Sequence, residues 1–257
     1  EKAGVPLLVH KPGARTATEA APAFRAAREA GVKVAIGLGR RYGRAWQEAR
    51  AMIRGGRLGK LLTTEAIFTT SQVRVRNPKN LIFDRGLSGG GILHWLGVHD
   101  IDQLLWQTGE PIAEVQALTG NVGGEAIEVE DAISVGLRYA GGALGTIHYA
   151  YALPRTASDG YLAFRGLNGS IRLAPDGTLT WLGGGTPLDP VTNQETVYTN
   201  RTVPGYGATG AAVIEDLLLA ISEDRDPLAT GEDVTAALRV IDAVYEAART
   251  GQRVRLA

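Results

Sequence analysis

Pro6-Leu7-Leu8-Val9-His10-Lys11-Pro12 is a short apolar run that ends in a basic pair and a proline, and a second run, Val32 to Leu38, follows it. Each has the length and composition of a strand buried on both faces in a parallel sheet. Between them residues 17–30 are Ala-rich and stop at Gly31, which predicts a helix. Ala45 to Arg54 resumes a helical pattern that stops at Gly55-Gly56. Strand, helix, strand, helix is the signature of a doubly wound sheet, and this stretch reads as its C-terminal remnant. The chain opens at Glu1 and its only methionine is Met52, so sequence is expected upstream of residue 1.

From about residue 60 the period changes from helical to alternating. Runs at Thr63–Thr70, Ala113–Leu118, Asp131–Tyr139, Gly142–Tyr151, Tyr161–Arg165, Ser170–Leu173 and Thr178–Leu182 are separated by turn pairs such as Gly141-Gly142, Asn168-Gly169 and Asp176-Gly177. These predict a large, open, mostly antiparallel sheet. A helix over Gly89–Gln107, with Ser88 as its cap, interrupts the strands. Two more close the chain, one with a stripe of Val213, Ile214, Leu217, Leu218 and Ile221, the other with Val234, Leu238, Ile241, Val244 and Tyr245. Thr230 and Asp233 have the spacing of an N-cap pair for the last helix. The fold class is therefore α+β: a Rossmann remnant over 1–57, then an open-sheet domain with helices on one face over 58–257.

Composition narrows the function. Lysine plus arginine balances aspartate plus glutamate at 27 each, so no basic surplus exists to neutralise a nucleic-acid backbone. No apolar run approaches the roughly 20 residues of a spanning helix. The absence of cysteine excludes disulfides and thiolate metal sites. A small-molecule partner, or a second copy of the chain, is the expectation.

Three patterns carry chemistry. His10-Lys11-Pro12 lies at the carboxyl end of the first strand, where open α/β sheets bind ligands; the ordinary alternative is a surface lysine in a loop. The helix expected over Gly89–Gln107 places Trp95, His99, Asp102 and Trp106 on one face, with His94 elsewhere. A histidine sharing a face with a carboxylate can be held in one tautomer and move protons near neutral pH; the alternative is a structural histidine. His94, His99 and Asp100 do not have metal-site spacing, and no metal is expected. Gly37-Leu38-Gly39-Arg40-Arg41-Tyr42-Gly43 is glycine-rich, but its last glycine comes a residue late for a dinucleotide fingerprint.

In this order and spacing, the motifs resemble the Gfo/Idh/MocA oxidoreductases. The family's Glu-Lys-Pro is His10-Lys11-Pro12, its Arg-Arg-aromatic strand exit is Val34 to Tyr42, and its Leu-Gly junction is Leu58-Gly59. Its triple-glycine helix is Gly89 to Asp102, its Val-Glu-Asp strand start is Val129-Glu130-Asp131, and its closing Pro-Leu-x-Thr-Gly-Glu-Asp is Pro227 to Asp233.

The resemblance implies hydride transfer between NAD or NADP and a secondary alcohol of a sugar, inositol or related polyol. It puts Lys11 and His99 beside the reacting carbon as catalytic residues, with Asp102 orienting the histidine. Trp95, Asp102, Arg41 and Tyr42 would contact substrate; His10, Lys11, Pro12 and Arg40 would contact cofactor. Trp95 stands where the family has an aspartate, and His10 where it has a glutamate. The phosphate-binding Gly-x-Gly-x-x-Gly turn is expected upstream, in on the order of 100 residues of nucleotide domain, so the fragment alone should be inactive. A cytoplasmic homodimer or homotetramer joined through the open sheet is implied as well. Two alternatives stay open: a non-catalytic subunit or ligand-binding module, and an enzyme using NAD transiently for sugar elimination or hydrolysis.

Overall fold

The computed structural model describes residues 4–153, 159–183, 194–198 and 207–256. Strand β1 (Leu7–Val9) pairs in parallel with β2 (Val34–Ile36), and helix α1 (Ala17–Glu29) joins them. Thr16 caps α1 by accepting from the Glu19 amide. Helix α2 (Arg44–Arg54) follows a short 3-10 turn at Gly39–Tyr42. The expectation that the first strand is buried on both faces fails: Leu7 and Leu8 are 45% and 49% exposed, because among the described residues β1 has β2 as its sole neighbour.

The second sheet contains β3 (Leu61–Thr69), β4 (Ile112–Gly120), β5 (Ala132–Tyr139), β6 (Leu144–Ala150), β7 (Asp159–Gly166), β8 (Gly169–Leu173), β9 (Leu179–Gly183), β10 (Gln194–Tyr198) and β11 (Val254–Arg255). Their order is β10-β9-β8-β7-β3-β6-β5-β4-β11, antiparallel except where β3 lies parallel to β6. Alternation decides its faces. In β5, Ile133, Val135, Leu137 and Tyr139 are buried, while Ser134, Gly136 and Arg138 point to the open side. In β6, Ile147 and Tyr149 face in, while Thr146 and His148 face out. The inward set joins one apolar core that runs from α1 to the last helix.

The remaining helices are α3 (Gln72–Val75), α4 (Arg85–Ser88), α5 (Val98–Thr108), α6 (Gly207–Ser222) and α7 (Gly231–Thr250), with a π-helical turn at Leu93–Gly97 leading into α5. Thr230 and Asp233 close the expected capping box on α7. The apolar stripe on α6 divides: Val213 and Leu217 are buried against Ala35 of β2, whereas Ile214, Leu218 and Ile221 are 49%, 61% and 41% exposed.

Ser88 does not cap the helix at the triple glycine. It closes α4, donating to the Asp84 and Gly90 carbonyls. The cap comes from the loop before β5, where the Glu130 carboxylate accepts from the amides of Gly91 (2.8 Å) and Leu93 (3.2 Å) and from Tyr245 Oη (2.8 Å). A buried carboxylate satisfies these helix-start amides and is stabilised by them, which a distant residue can do as well as a local one. The glycines serve this packing, not a ligand: at Gly90 a Cβ would lie 2.1 Å from Tyr245 Oη.

Candidate active site

The carboxyl ends of β1 and β2 carry the two loops that matter, His10-Lys11-Pro12 and Gly37 to Tyr42. Lys11 is not the surface lysine of the ordinary reading. It is 4% exposed, its ammonium donates to the Trp95 carbonyl in the π-turn, and it stands 4.3 Å from the Trp95 ring centroid. Among the described residues no carboxylate pairs with it. Burial first, then Arg40 and Arg76, bring its pKa down from 10.5 to about 8. A lysine so placed exchanges its proton close to neutral pH.

His99, from the first turn of α5, joins the same cluster. Burial, then the charges of Arg40, Lys11 and His10, hold it well below the usual imidazole range, so it is neutral at pH 7. Its Nδ1 is buried with no hydrogen-bond partner. Arg40 in turn is ion-paired with Asp100, whose other oxygen accepts from Tyr149 Oη at 2.5 Å. His94 lies off the face that carries His99, as its spacing implies, and donates from Nε2 to the Arg15 carbonyl at 3.0 Å while still feeling the Lys11 charge.

The rest of the expected face goes elsewhere. Asp102 does not orient His99, nor can it touch a substrate: it is 1% exposed and its oxygens accept from Arg41 Nε (3.1 Å to each), Arg41 Nη2 (2.5 Å) and Gln103 Nε2 (3.3 Å). Arg41 also leaves the substrate set. It is 3% exposed, donates to the Leu228 carbonyl at 2.8 Å and reaches Asp233 at 3.1 Å. A buried charge must be paired, and Asp102 with Arg41 meets that demand at the cost of any role toward ligand. Tyr42 is half-buried and its hydroxyl donates to Asp216 at 2.9 Å, which ties the 3-10 turn to α6 and takes the hydroxyl away from the pocket edge.

Trp95 is half-buried, and one face of its ring carries the Lys11 ammonium. His10 is exposed and donates from Nδ1 to the Lys11 carbonyl at 3.1 Å, and Pro12 follows through a cis peptide bond. Two groups at the cluster escape a reading of sequence. Tyr149 looks like any inward aromatic of an alternating strand, and Asp100 carries no motif of its own beyond its place beside His99. Among the described residues no group of three or more His, Asp or Glu is placed to hold a metal ion, and no helix is long and apolar enough to cross a membrane.

Residues 46–172 match the family described as GFO/IDH/MocA C-terminal domain. That segment is a Gfo/Idh/MocA C-terminal domain. The chain's relatives are sugar oxidoreductases. The 1,5-anhydro-D-fructose reductase of Ensifer adhaerens is 28% identical over 270 residues, which cover 99% of this chain and 74% of that protein. The aldose-aldose oxidoreductase of Caulobacter crescentus, solved with glycerol, superposes with a TM-score of 0.85 at 26% identity, covering 99% of this chain and 73% of the other. Levoglucosan dehydrogenase, solved with NADH and L-sorbose, gives 0.85 at 21% identity over 100% of this chain and 74% of that one, a likeness of fold. The α+β architecture and the family expected from the motifs thus agree with the structure and with these relatives.

Proposed function

We propose that this protein is an NAD(P)-dependent oxidoreductase acting on a secondary alcohol of a sugar, inositol or related polyol, with Lys11 and His99 handling the proton. The observation that carries the reading is the convergence of a buried ammonium from the β1 loop, without a carboxylate partner among the described residues, and a neutral imidazole from α5 at the carboxyl ends of two parallel strands. That set of groups suits a nicotinamide and an alcohol: basic or neutral donors, a half-buried aromatic ring, and a buried imidazole nitrogen still without a partner.

His10, Lys11, Pro12 and Arg40 are the residues of this chain that would border the cofactor, which supplies the hydride exchange when bound. Lys11 in its neutral form accepts the hydroxyl proton as the carbinol carbon loses hydride, and as ammonium it returns that proton in the reverse direction. His99 stays neutral and can share or pass the proton. Trp95 shields the ammonium from water and holds it through its carbonyl. In this reading residues 1–57 belong to a dinucleotide-binding domain and 58–257 to a substrate domain. The protein works in the cytoplasm. Copies pair through the open sheet, whose outer face shows Leu118, Leu144 and Leu182 at 77%, 48% and 46% exposure.

The test is a panel of sugars and polyols with NAD and with NADP, followed by the absorbance of the reduced nicotinamide. At least one pair should turn over. Its kcat/KM for oxidation should rise with pH and level off above about 8, where Lys11 is neutral, while the reduction rate, which needs the ammonium, should fall there. No turnover with any pair, together with retained ligand binding, would make the protein a binding module instead.

A further inference from the structure

Beside the lysine and the histidine stands a chain of three residues that a proton transfer does not itself require. Tyr149 lies at the centre of the sheet, 0% exposed, its ring edge-on to Phe68 with centroids 6.3 Å apart. Its hydroxyl donates to Asp100 Oδ2 at 2.5 Å, and Asp100 Oδ1 accepts from Arg40. The guanidinium of Arg40 lies 5.1 Å from the Trp46 ring centroid, so an ion pair and an aromatic face hold it together. The helix approaches Tyr149 closely enough for this only because position 97 is glycine: a Cβ there would lie 2.7 Å from the tyrosine ring. Sheet, helix and loop are thus tied by one polar line that ends on a cation.

An arginine does not lose its proton in a protein, so its charge is permanent. We infer that Tyr149, Asp100 and Arg40 form a positioning strut that sets a fixed charge beside Lys11 and His99 and so decides how readily that pair takes up a proton. The groups facing Lys11 are Arg40 from the 3-10 turn, Arg76 beyond α3, His94 and His99 from the triple-glycine helix, and the ring and carbonyl of Trp95. Those facing His99 are Arg40, Lys11 and His10. Arg40 is common to both sets, and Asp100 is the carboxylate paired with it. Arg40 and Asp100 therefore oppose each other: removing the arginine should ease protonation of Lys11, and removing the aspartate should hinder it. The inference rests on reading Lys11 and His99 as the proton-handling pair only for its catalytic meaning. The charge effect itself is a property of the folded chain.

The experiment is a pH titration of the Lys11 side-chain 13Cε resonance, assigned by its loss in Lys11→Met, in the protein without substrate. Arg40→Met should move the Lys11 midpoint up from about 8 by ~1 pH unit, Asp100→Asn should move it down, and Arg40→Lys should leave it near the original value. Opposite shifts are the signature of a charge strut; a merely structural role would lower stability and leave the midpoint alone. If Asp100→Asn does not fold, the contrast between Arg40→Met and Arg40→Lys decides. Equal midpoints in those two variants, or shifts of one sign in Arg40→Met and Asp100→Asn, overturn the inference. Because no substrate is present, that failure is separate from the absence of turnover that would sink the dehydrogenase reading. Where turnover is found, the rising limb of kcat/KM should move with the lysine midpoint in each variant.

Discussion

Arg40 and Arg41 are adjacent in sequence and opposite in use. Arg41 is sealed at 3% exposure between Asp102, Asp233 and the Leu228 carbonyl, and its charge is spent on joining the 3-10 turn to α5 and α7. Arg40 keeps 30% of its side chain exposed, has Asp100 as its carboxylate partner, and turns toward Lys11 and His99. The difference shows how one loop builds both a fastener and a site. A guanidinium with two carboxylates is a structural bolt, whereas an ammonium with none among the described residues, beside a guanidinium paired with Asp100, is an electropositive centre with chemistry available to it.

The contrast is broken hardest at the bolt. Asp102→Asn or Arg41→Met leaves a buried charge without its partner, and should cost about 3 to 5 kcal/mol in urea unfolding. A loss below about 1 kcal/mol would show that the pair is not the structural member described here.

Lys11 should behave in the reverse sense. Its pKa is lowered on folding, so between about 8 and 10.5 the unfolded chain holds a proton that the folded one has released, and stability rises with pH through that window. Below it the buried ammonium is a liability. Lys11→Met should therefore stabilise the protein at pH 7 by on the order of 2 kcal/mol, what remains of a roughly 3 kcal/mol penalty after the bond to the Trp95 carbonyl is lost. The same variant should lower turnover by about 100-fold or more. A variant that is both less stable and fully active would place Lys11 with Arg41 among the structural cations.

The smallest effect sharpens the comparison at Glu130. Glu130→Gln keeps the shape but weakens the bonds to the Gly91 and Leu93 amides, and should cost about 1 kcal/mol with no change in the Lys11 midpoint. A shifted midpoint would mean that the cap also reports to the site.

Much of this was legible in the residues. The β1 loop, the triple-glycine helix and the capping box at Thr230 were visible because their signals are local: a strand that ends in Lys-Pro, a run of glycine before a helical period, a hydroxyl and a carboxylate three residues apart. The polar partners were not. Helical spacing put Asp102 with His99, yet the carboxylate serves Arg41, 61 residues away in sequence. Ser88 had the right residue type in the right place for a cap, and Glu130 took the position from 39 residues downstream. The stripe on α6 predicted a helix correctly and its buried side only in part, since what covers Val213 and Leu217 is a strand that the helix's own period does not reveal.

Composition and periodicity by themselves determined the class of fold, and motif order carried the family resemblance, because hydrophobic spacing and backbone punctuation act over a few residues and survive without knowledge of neighbours. The tertiary structure alone decided which charges are paired. Whether a carboxylate holds a histidine, caps a helix or locks an arginine depends on distances of about 3 Å and on the exclusion of water, and both arise only when distant segments meet.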